Sequence, residues 1–103
     1  MKKEILGFHA EFCKTFSNPV RLEILNLLKE GEMTVTDVKD RLGIPKANTS
    51  QHLALMRMRK ILVRRREGTH IYYRIASKKI AAACGTMQNA LEDLLEAASS
   101  RQY

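Results

Sequence analysis

Tryptophan is absent from this sequence, and cysteine and proline each occur only twice in its 103 residues. Two cysteines far apart, Cys13 and Cys84, are too few for a disulfide framework and favour a reducing cytosol. No apolar run approaches the ~20 residues of a transmembrane helix, and an early acid, Glu4, breaks the apolar character that a signal peptide needs. We therefore expect a cytoplasmic protein without a membrane partner.

Acidic residues are the minority charge, with 11 of them against 18 lysines and arginines and a formal net charge of +7. Such a balance favours a polyanionic partner but does not distinguish DNA, RNA and acidic membranes. The hydrophobic content of 45% indicates a globular chain, and its length predicts a single domain over residues 1–103. A chain of this size has a small core, which dimerisation would extend.

Sequence patterns typical of enzymes are also missing. We find no glycine-rich phosphate loop, no nucleophile elbow and no histidines and acids at metal-ligand spacing. The sequence therefore predicts no catalytic residues, no cofactor and no metal site.

The stretch that organises the chain is residues 34–60, which predicts a helix-turn-helix. Thr34 and Asp37 fit the capping box that starts a helix, and Gly43 stands where a helix ends on a left-handed residue. Pro45 then redirects the chain, because proline fixes φ and disfavours helix in the residue before it. Two helices joined in this way can place the second one in a major groove.

The second helix of this pair is predicted from about Lys46 to Lys60. Thr49, Leu53 and Met56 share one side, which we expect to be buried. The other side carries small and amide side chains, which suit base edges better than the glutamates and lysines of an ordinary exposed face. The candidate DNA contacts here are Lys46, Asn48, Ser50, Gln51, His52 and Arg57.

Residues 62–75 predict a basic β-hairpin, or wing. Three consecutive arginines continue its first strand, Glu67-Gly68 is the expected turn, and the stretch from Thr69 to Ile75 returns. Glu67 is the only acid between residues 46 and 74, so an anionic partner is favoured over the alternative of a charge-protected edge strand. The candidate DNA contacts of the wing are Arg64, Arg65, Arg66, Thr69 and His70.

A helix is also expected to start at Ser17-Asn18-Pro19. Asparagine is a good cap and proline suits the first helical position. The apolar residues of this helix predict core packing, whereas Arg21 is interpreted as a solvent-exposed charge.

Residues 1–16 and 77–100 predict the first and last helices, each with an apolar stripe. The first could pack onto its own domain or against a second chain. The last is long and near the heptad rhythm, and its own chain offers too little surface to cover it, which favours dimerisation. The candidate dimer-interface residues are Ile5, Phe8, Phe12, Ile80, Cys84, Met87, Leu91 and Leu94.

Three stretches in this order resemble the ArsR/SmtB family of bacterial and archaeal repressors. They are SNPVRLEILNLL at 17–28, TVTDVKDRLGIPKANTSQHLALMR at 34–57 and ILVRRREGTHIYYRI at 61–75. The resemblance implies a mainly α winged helix-turn-helix with a small β-hairpin wing, dimerising through its first and last helices. It further implies a homodimer whose recognition helices lie roughly 34 Å apart, bound to an inverted-repeat operator in double-stranded DNA.

The chain departs from the metal-sensing members of that family. Thr34 and Thr36 occupy the cysteine positions of one family metal site, and threonine is a poor ligand for soft metals. The last helix contains no histidine, so the second familiar site is also absent. Lys60 replaces the glycine that usually ends the recognition helix, which predicts a differently built turn.

Cys13 and Cys84 leave two interpretations open. Each alone is best explained as a packing residue. If the first and last helices bring them together, a disulfide, a polysulfide bridge or a thiophilic ligand could link them and deform the dimer.

We therefore expect a sequence-specific DNA-binding regulator, a homodimeric repressor released by a small inducer or by thiol modification. Its effector is not predictable. One alternative is an architectural protein that binds nucleic acid without sequence preference, and another is a protein-interaction module, which the basic wing disfavours.

Overall fold

The computed structural model describes residues 2–100 of the chain, apart from the side chain of Ser100. These residues form a mainly α winged helix-turn-helix with one small sheet, as predicted. The ends of the predicted domain, residue 1 and residues 101–103, lie outside them. No helix among residues 2–100 combines the length and apolarity needed to cross a membrane. The elements are α1 (Lys3–Thr15), α2 (Pro19–Leu28), β1 (Met33–Thr34), α3 (Val35–Leu42), α4 (Lys46–Met58), β2 (Leu62–Glu67), β3 (His70–Ile75) and α5 (Lys78–Ser100).

The starts of α2 and α3 follow the predicted capping chemistry. The Asn18 side chain accepts hydrogen bonds from the amides of Val20 (2.8 Å) and Arg21 (3.3 Å). Thr34 Oγ1 accepts from the Asp37 amide (3.1 Å), and the Asp37 carboxylate accepts from the Thr34 amide (3.2 Å). Each cap satisfies main-chain donors that have no partner within the helix.

The turn between α3 and α4 is also as expected. Gly43 takes the left-handed conformation (φ 68°) and its amide donates to the Lys39 carbonyl at 2.8 Å. Pro45 then precedes the first residue of α4. The chain therefore changes direction within a few residues and sets α4 across α3.

The end of α4 differs from the prediction. The helix stops at Met58 instead of Lys60, and Lys60 adopts a left-handed φ of 65°. The Ile61 amide donates to the Met56 carbonyl (2.9 Å) and the Lys60 amide to the Arg57 carbonyl (3.0 Å). This pair of bonds is a Schellman motif, with lysine at the position that glycine usually occupies.

The wing forms, but its turn lies one residue further on than predicted. Glu67 pairs with His70 in the antiparallel β2–β3 ladder, so the turn is Gly68-Thr69. Gly68 has φ 63°, a conformation open to glycine at the first position of a two-residue hairpin turn. The expected Glu67-Gly68 turn is therefore wrong, because glycine comes first in this turn and not second.

A third strand, β1, was not predicted. The sheet order is β1-β3-β2, and Met33 and Thr34 pair with Tyr73 and Tyr72. Two residues are too few to show strand periodicity, and Thr34 is also the cap of α3. The strand joins the wing to the start of the helix-turn-helix.

The hydrophobic core lies within residues 19–75. It packs α2 against α3, α4 and the sheet, and its residues are Ile24, Leu25, Leu28, Val38, Leu53, Met56, Ile61, Leu62 and Tyr73. Helices α1 and α5 add only half-buried side chains to it, among them Phe12 and Cys84, and Phe16 follows directly after α1. The radius of gyration is 15.8 Å, against about 13 Å for a compact domain of this length, because the terminal helices extend from the core.

Candidate nucleic-acid interface

Helix α4 has one buried side and one exposed side, as predicted. Thr49, Leu53 and Met56 are fully buried. The buried hydroxyl of Thr49 donates a hydrogen bond from Oγ1 to the Pro45 carbonyl at 3.0 Å. The core thus fixes the rotation of the helix about its axis. The candidate contacts that it leaves exposed are Lys46, Asn48, Ser50, Gln51 and Arg57.

His52 lies at the edge of this face and is half-buried. Its Nδ1 accepts a hydrogen bond from Arg21 Nε at 3.3 Å, and Arg21 Nη1 donates to the Thr15 carbonyl at 3.2 Å. Burial, with the adjacent Arg21 charge, lowers the pKa of His52. The interaction favours a neutral ring whose proton is on Nε2.

Arg21 is therefore not the solvent-exposed charge that the sequence predicted. Its guanidinium joins the end of α1, the start of α2 and the middle of α4. The periodicity of α2 could not show these contacts, because His52 is distant in sequence and the Thr15 partner is a main-chain carbonyl.

The wing and the start of α4 form the two sides of one groove. Lys46 lines this groove together with Thr69 and His70, and Thr36 and Tyr72 lie beside them. Predicted contacts from two separate sets, Lys46 of the helix and Thr69 and His70 of the wing, are therefore adjacent. Thr36, at the start of α3, is an additional lining residue, which the sequence singled out only as a replaced metal ligand and not as a DNA contact.

The three consecutive arginines of the wing do not have equal surroundings, because side chains alternate across a strand. Arg65 stacks on the Tyr72 ring, with Cζ 4.7 Å from the ring centroid. It donates from Nε to both Glu32 oxygens (3.0 Å each) and from Nη1 to Glu67 (2.6 Å). Arg65 lowers the pKa of Glu32, and the two carboxylates raise the pKa of Arg65.

Arg64 and Arg66 lie on the opposite face of the strand from Arg65. Arg66 donates from Nε to the Gly68 carbonyl at 3.0 Å. Within residues 2–100, neither Arg64 nor Arg66 forms an ion pair. The unneutralised charge of the arginine run is thus on Arg64 and Arg66, whereas Arg65 is paired with Glu32 and Glu67.

The two cysteines line the same groove, between α1 and α5. The groove has a volume of about 430 Å³, and Phe12, Met87 and Leu91 give it an apolar surface. Both thiols are free; Cys13 is exposed and Cys84 is half-buried. Burial raises the pKa of the Cys84 thiol, which makes it a weaker nucleophile at neutral pH.

Metal-binding side chains do not gather anywhere in the described part of the chain: no three of its histidines, cysteines and acids could hold a metal ion together. The interface is instead made of amides, hydroxyls and cations. That chemistry suits hydrogen bonding to base edges and ion pairing with phosphates.

Comparison with known proteins agrees with this chemistry. A family model described as bacterial regulatory protein, arsR family, matches residues 18–59. The transcriptional repressor PagR of Bacillus anthracis is 43% identical over 72 residues, which cover 69% of this chain and 72% of PagR.

Solved structures extend the similarity to nearly the whole chain. The crystal structure of Rv0081 from Mycobacterium tuberculosis superposes with a TM-score of 0.85 at 29% identity, covering 95% of this chain and 99% of that one. A homodimeric winged helix-turn-helix DNA-binding domain from Mycobacterium bovis has a TM-score of 0.84 at 32% identity, covering 90% of this chain and 86% of that one.

Proposed function

The chain belongs to the arsR family of bacterial regulatory proteins, and from this premise we propose that it is a sequence-specific DNA-binding transcriptional repressor acting in the cytoplasm. One observation carries the proposal. The exposed side of α4 presents amide and hydroxyl groups, and Arg64 of the wing lies beside the end of the same helix. The matching family and the relatives are transcriptional regulators and not enzymes.

The exposed residues of α4 supply the sequence recognition in this proposal. Gln51 and Asn48 can each bind an adenine through two hydrogen bonds, and Ser50 can reach either base type. Lys46 and Arg57 flank them as phosphate contacts. His52, held by Arg21, offers only its Nε2 proton, so its contact with DNA is limited to one donated bond.

The wing supplies affinity rather than selectivity. Arg64 and Arg66, with Thr69 and His70, engage the backbone or the minor groove next to the recognition helix. Arg65 was predicted to share this role, but its pairing with Glu32 and Glu67 leaves it little charge to offer. We propose that Arg65 mainly keeps the wing in place.

A homodimer through α1 and α5 completes the proposal. Among the predicted interface residues, Ile5, Phe8, Met87, Leu91 and Leu94 are all about half exposed or more in the single chain. Large apolar areas of this kind mark association surfaces, and the similar M. bovis domain is homodimeric. Two-fold symmetry would present two recognition helices to an inverted-repeat operator.

Selection of bound duplexes from a random-sequence pool tests this function. We expect an enriched inverted repeat whose half-sites are about 10 base pairs apart, centre to centre. Fluorescence anisotropy should then show much tighter binding to that duplex than to a scrambled one. Equal binding to every duplex, with a steep dependence on salt, would instead identify the architectural alternative.

For release from DNA we propose thiol modification at the α1–α5 groove. Cys13 and Cys84 face the same space, so a polysulfide could oxidise both thiols to a sulfur bridge and leave as hydrosulfide. The bridge would tie α1 to α5 and change the dimer.

Operator binding before and after polysulfide treatment tests this release. Loss of binding in the wild type, and its retention in Cys13→Ser and in Cys84→Ser, is the expected result. Indifference of the wild type would leave both cysteines as packing residues and the effector to be a small ligand.

A further inference from the structure

A third groove, between the end of α4 and the start of the wing, has a distinctive lining. We call it the α4–β2 groove; it has a volume of about 460 Å³ and is lined by Arg57, Lys60, Leu62, Val63, Arg64 and Ala76. Leu62 is only 1% exposed and belongs to the core. The groove therefore combines an apolar lining with three cationic side chains.

In the part of the chain that the structure describes, these three cations have no counter-charge. Within residues 2–100, no ion pair involves Arg57, Lys60 or Arg64. Their sequence neighbours behave differently, since Arg59 pairs with Glu11 at 3.4 Å and Arg65 pairs with Glu32 and Glu67. Three like charges around one concavity repel each other until an anion enters it.

The backbone of Lys60 adopts a conformation that is unusual for a residue other than glycine. Its left-handed φ of 65° closes the Schellman motif at the end of α4. Glycine fits this position without strain, whereas a residue with a Cβ is strained there. Strained residues concentrate at functional sites, and here the strained residue brings an ammonium group to the groove.

We propose that the α4–β2 groove binds one phosphate group of the DNA backbone, held by Lys60 together with Arg57 and Arg64. The inference rests on the proposed function and deepens it, since the groove lies between the helix and the wing that are proposed to engage the duplex. A phosphate oxyanion matches three converging donors, and bidentate binding by arginine suits its geometry. Lys60 thereby joins the contact set, although the sequence indicated it only as an unusual helix end.

Two substitutions of Lys60 remove the cation without harming the fold. Lys60→Gly relieves the left-handed strain, and Lys60→Asn introduces a residue that tolerates it. Lys3→Gln, at the start of α1 and outside the groove, removes the same charge and serves as the matched control. Anisotropy titrations over a KCl series, with the selected operator and with a random duplex, give the affinity and its salt slope for each variant.

Each protomer contributes one groove, and Arg57 and Arg64 remain in it when Lys60 is replaced. Both Lys60 variants should therefore lower the magnitude of the salt slope by up to about 0.9 per groove, and weaken binding by up to about fivefold per groove at physiological salt. The loss should be equal on the two duplexes, because a backbone contact carries no sequence information. Lys3→Gln should leave the slope at its wild-type value. An unchanged slope in the Lys60 variants, with selective binding retained, overturns this inference but not the proposed function.

Two further outcomes are distinguishable. If the wild type shows no sequence selectivity, the proposed function fails, and the salt slope on random duplex still decides whether the groove holds a phosphate. Inorganic phosphate is the second probe, and NMR chemical-shift changes at Lys60 monitor its binding to the protein without DNA. Saturable binding of inorganic phosphate, combined with an unchanged DNA salt slope, identifies a site for a free anion and overturns the backbone assignment.

Discussion

The winged unit of residues 19–75 and the two terminal helices differ in how far their apolar side chains are buried. Leu25 and Leu53 in the winged unit are fully buried within one chain, whereas Leu94 in α5 remains 65% exposed and Phe8 in α1 59% exposed. The winged unit thus buries its apolar residues within one chain, and α1 and α5 hold apolar surface that is exposed in the described residues, which we propose a second copy covers. Core substitutions and terminal-helix substitutions should consequently differ in how their effects depend on protein concentration.

The largest expected effect is a loss of stability from Leu25→Ala. Leu25 is fully buried in α2, so truncation leaves a cavity and should lower the free energy of unfolding by about 3 kcal/mol. Urea denaturation monitored by circular dichroism gives this value. The decrease should be the same at low and high protein concentration. A decrease that disappears at high concentration would show that the stability of the winged unit depends on a partner chain.

Leu91→Glu should act on the terminal helices alone. A charge at the centre of the exposed α5 stripe should weaken dimerisation by about 2 kcal/mol, or roughly thirtyfold in Kd. Sedimentation equilibrium measures that constant. Asn89→Glu adds the same charge to an exposed position of α5 outside the stripe and should leave the Kd near its wild-type value. Equal effects of both variants would place the interface elsewhere.

Thr34→Ala should have a smaller effect within the winged unit. It removes the side-chain half of the capping box at α3, which typically costs about 1 kcal/mol. Thermal unfolding should show the loss, while Thr36→Ala, at an exposed position in the same helix, should unfold close to the wild type. If the two threonine variants are equally stable, the cap does not stabilise α3.

The smallest expected effect is a pH dependence from His52. Its pKa is lowered in the folded state by burial and by Arg21, so the unfolded chain binds the proton more readily. The contribution of neutral His52 to the free energy of unfolding is therefore fully present above the pKa of His52 in the unfolded chain, about 6.5. This contribution is lost as the pH falls from there through the pKa of His52 in the folded state. Melting temperatures of the wild type should fall over this range more than those of His52→Gln; parallel curves would contradict the assignment.

Local chemistry made most of the fold predictable. Thr34, Asp37 and Gly43 are each diagnostic within a few residues, because caps and left-handed turns are local structures. The burial of Thr49 was likewise predictable from its spacing to Leu53. The turn of the wing was displaced by one residue, since Glu67-Gly68 and Gly68-Thr69 are both plausible from composition alone.

Long-range partners were not predictable in the same way. Arg65 sits in an arginine run that indicates DNA contact, and only the register of β1 against β3 brings Glu32 within reach of it. The contact between Arg21 and His52 also spans separate helices. In both cases tertiary packing decides which partner a charged side chain has, and a sequence pattern does not carry that information.

We propose that α4 recognises sequence while the wing supplies affinity. Anisotropy titrations of Gln51→Ala and Arg64→Ala against operator and scrambled duplex separate these two roles. We predict that Gln51→Ala loses affinity for the operator alone, by about 1–3 kcal/mol, whereas Arg64→Ala weakens both duplexes equally and lowers the salt slope. Equal losses on both duplexes for Gln51→Ala would contradict the claim.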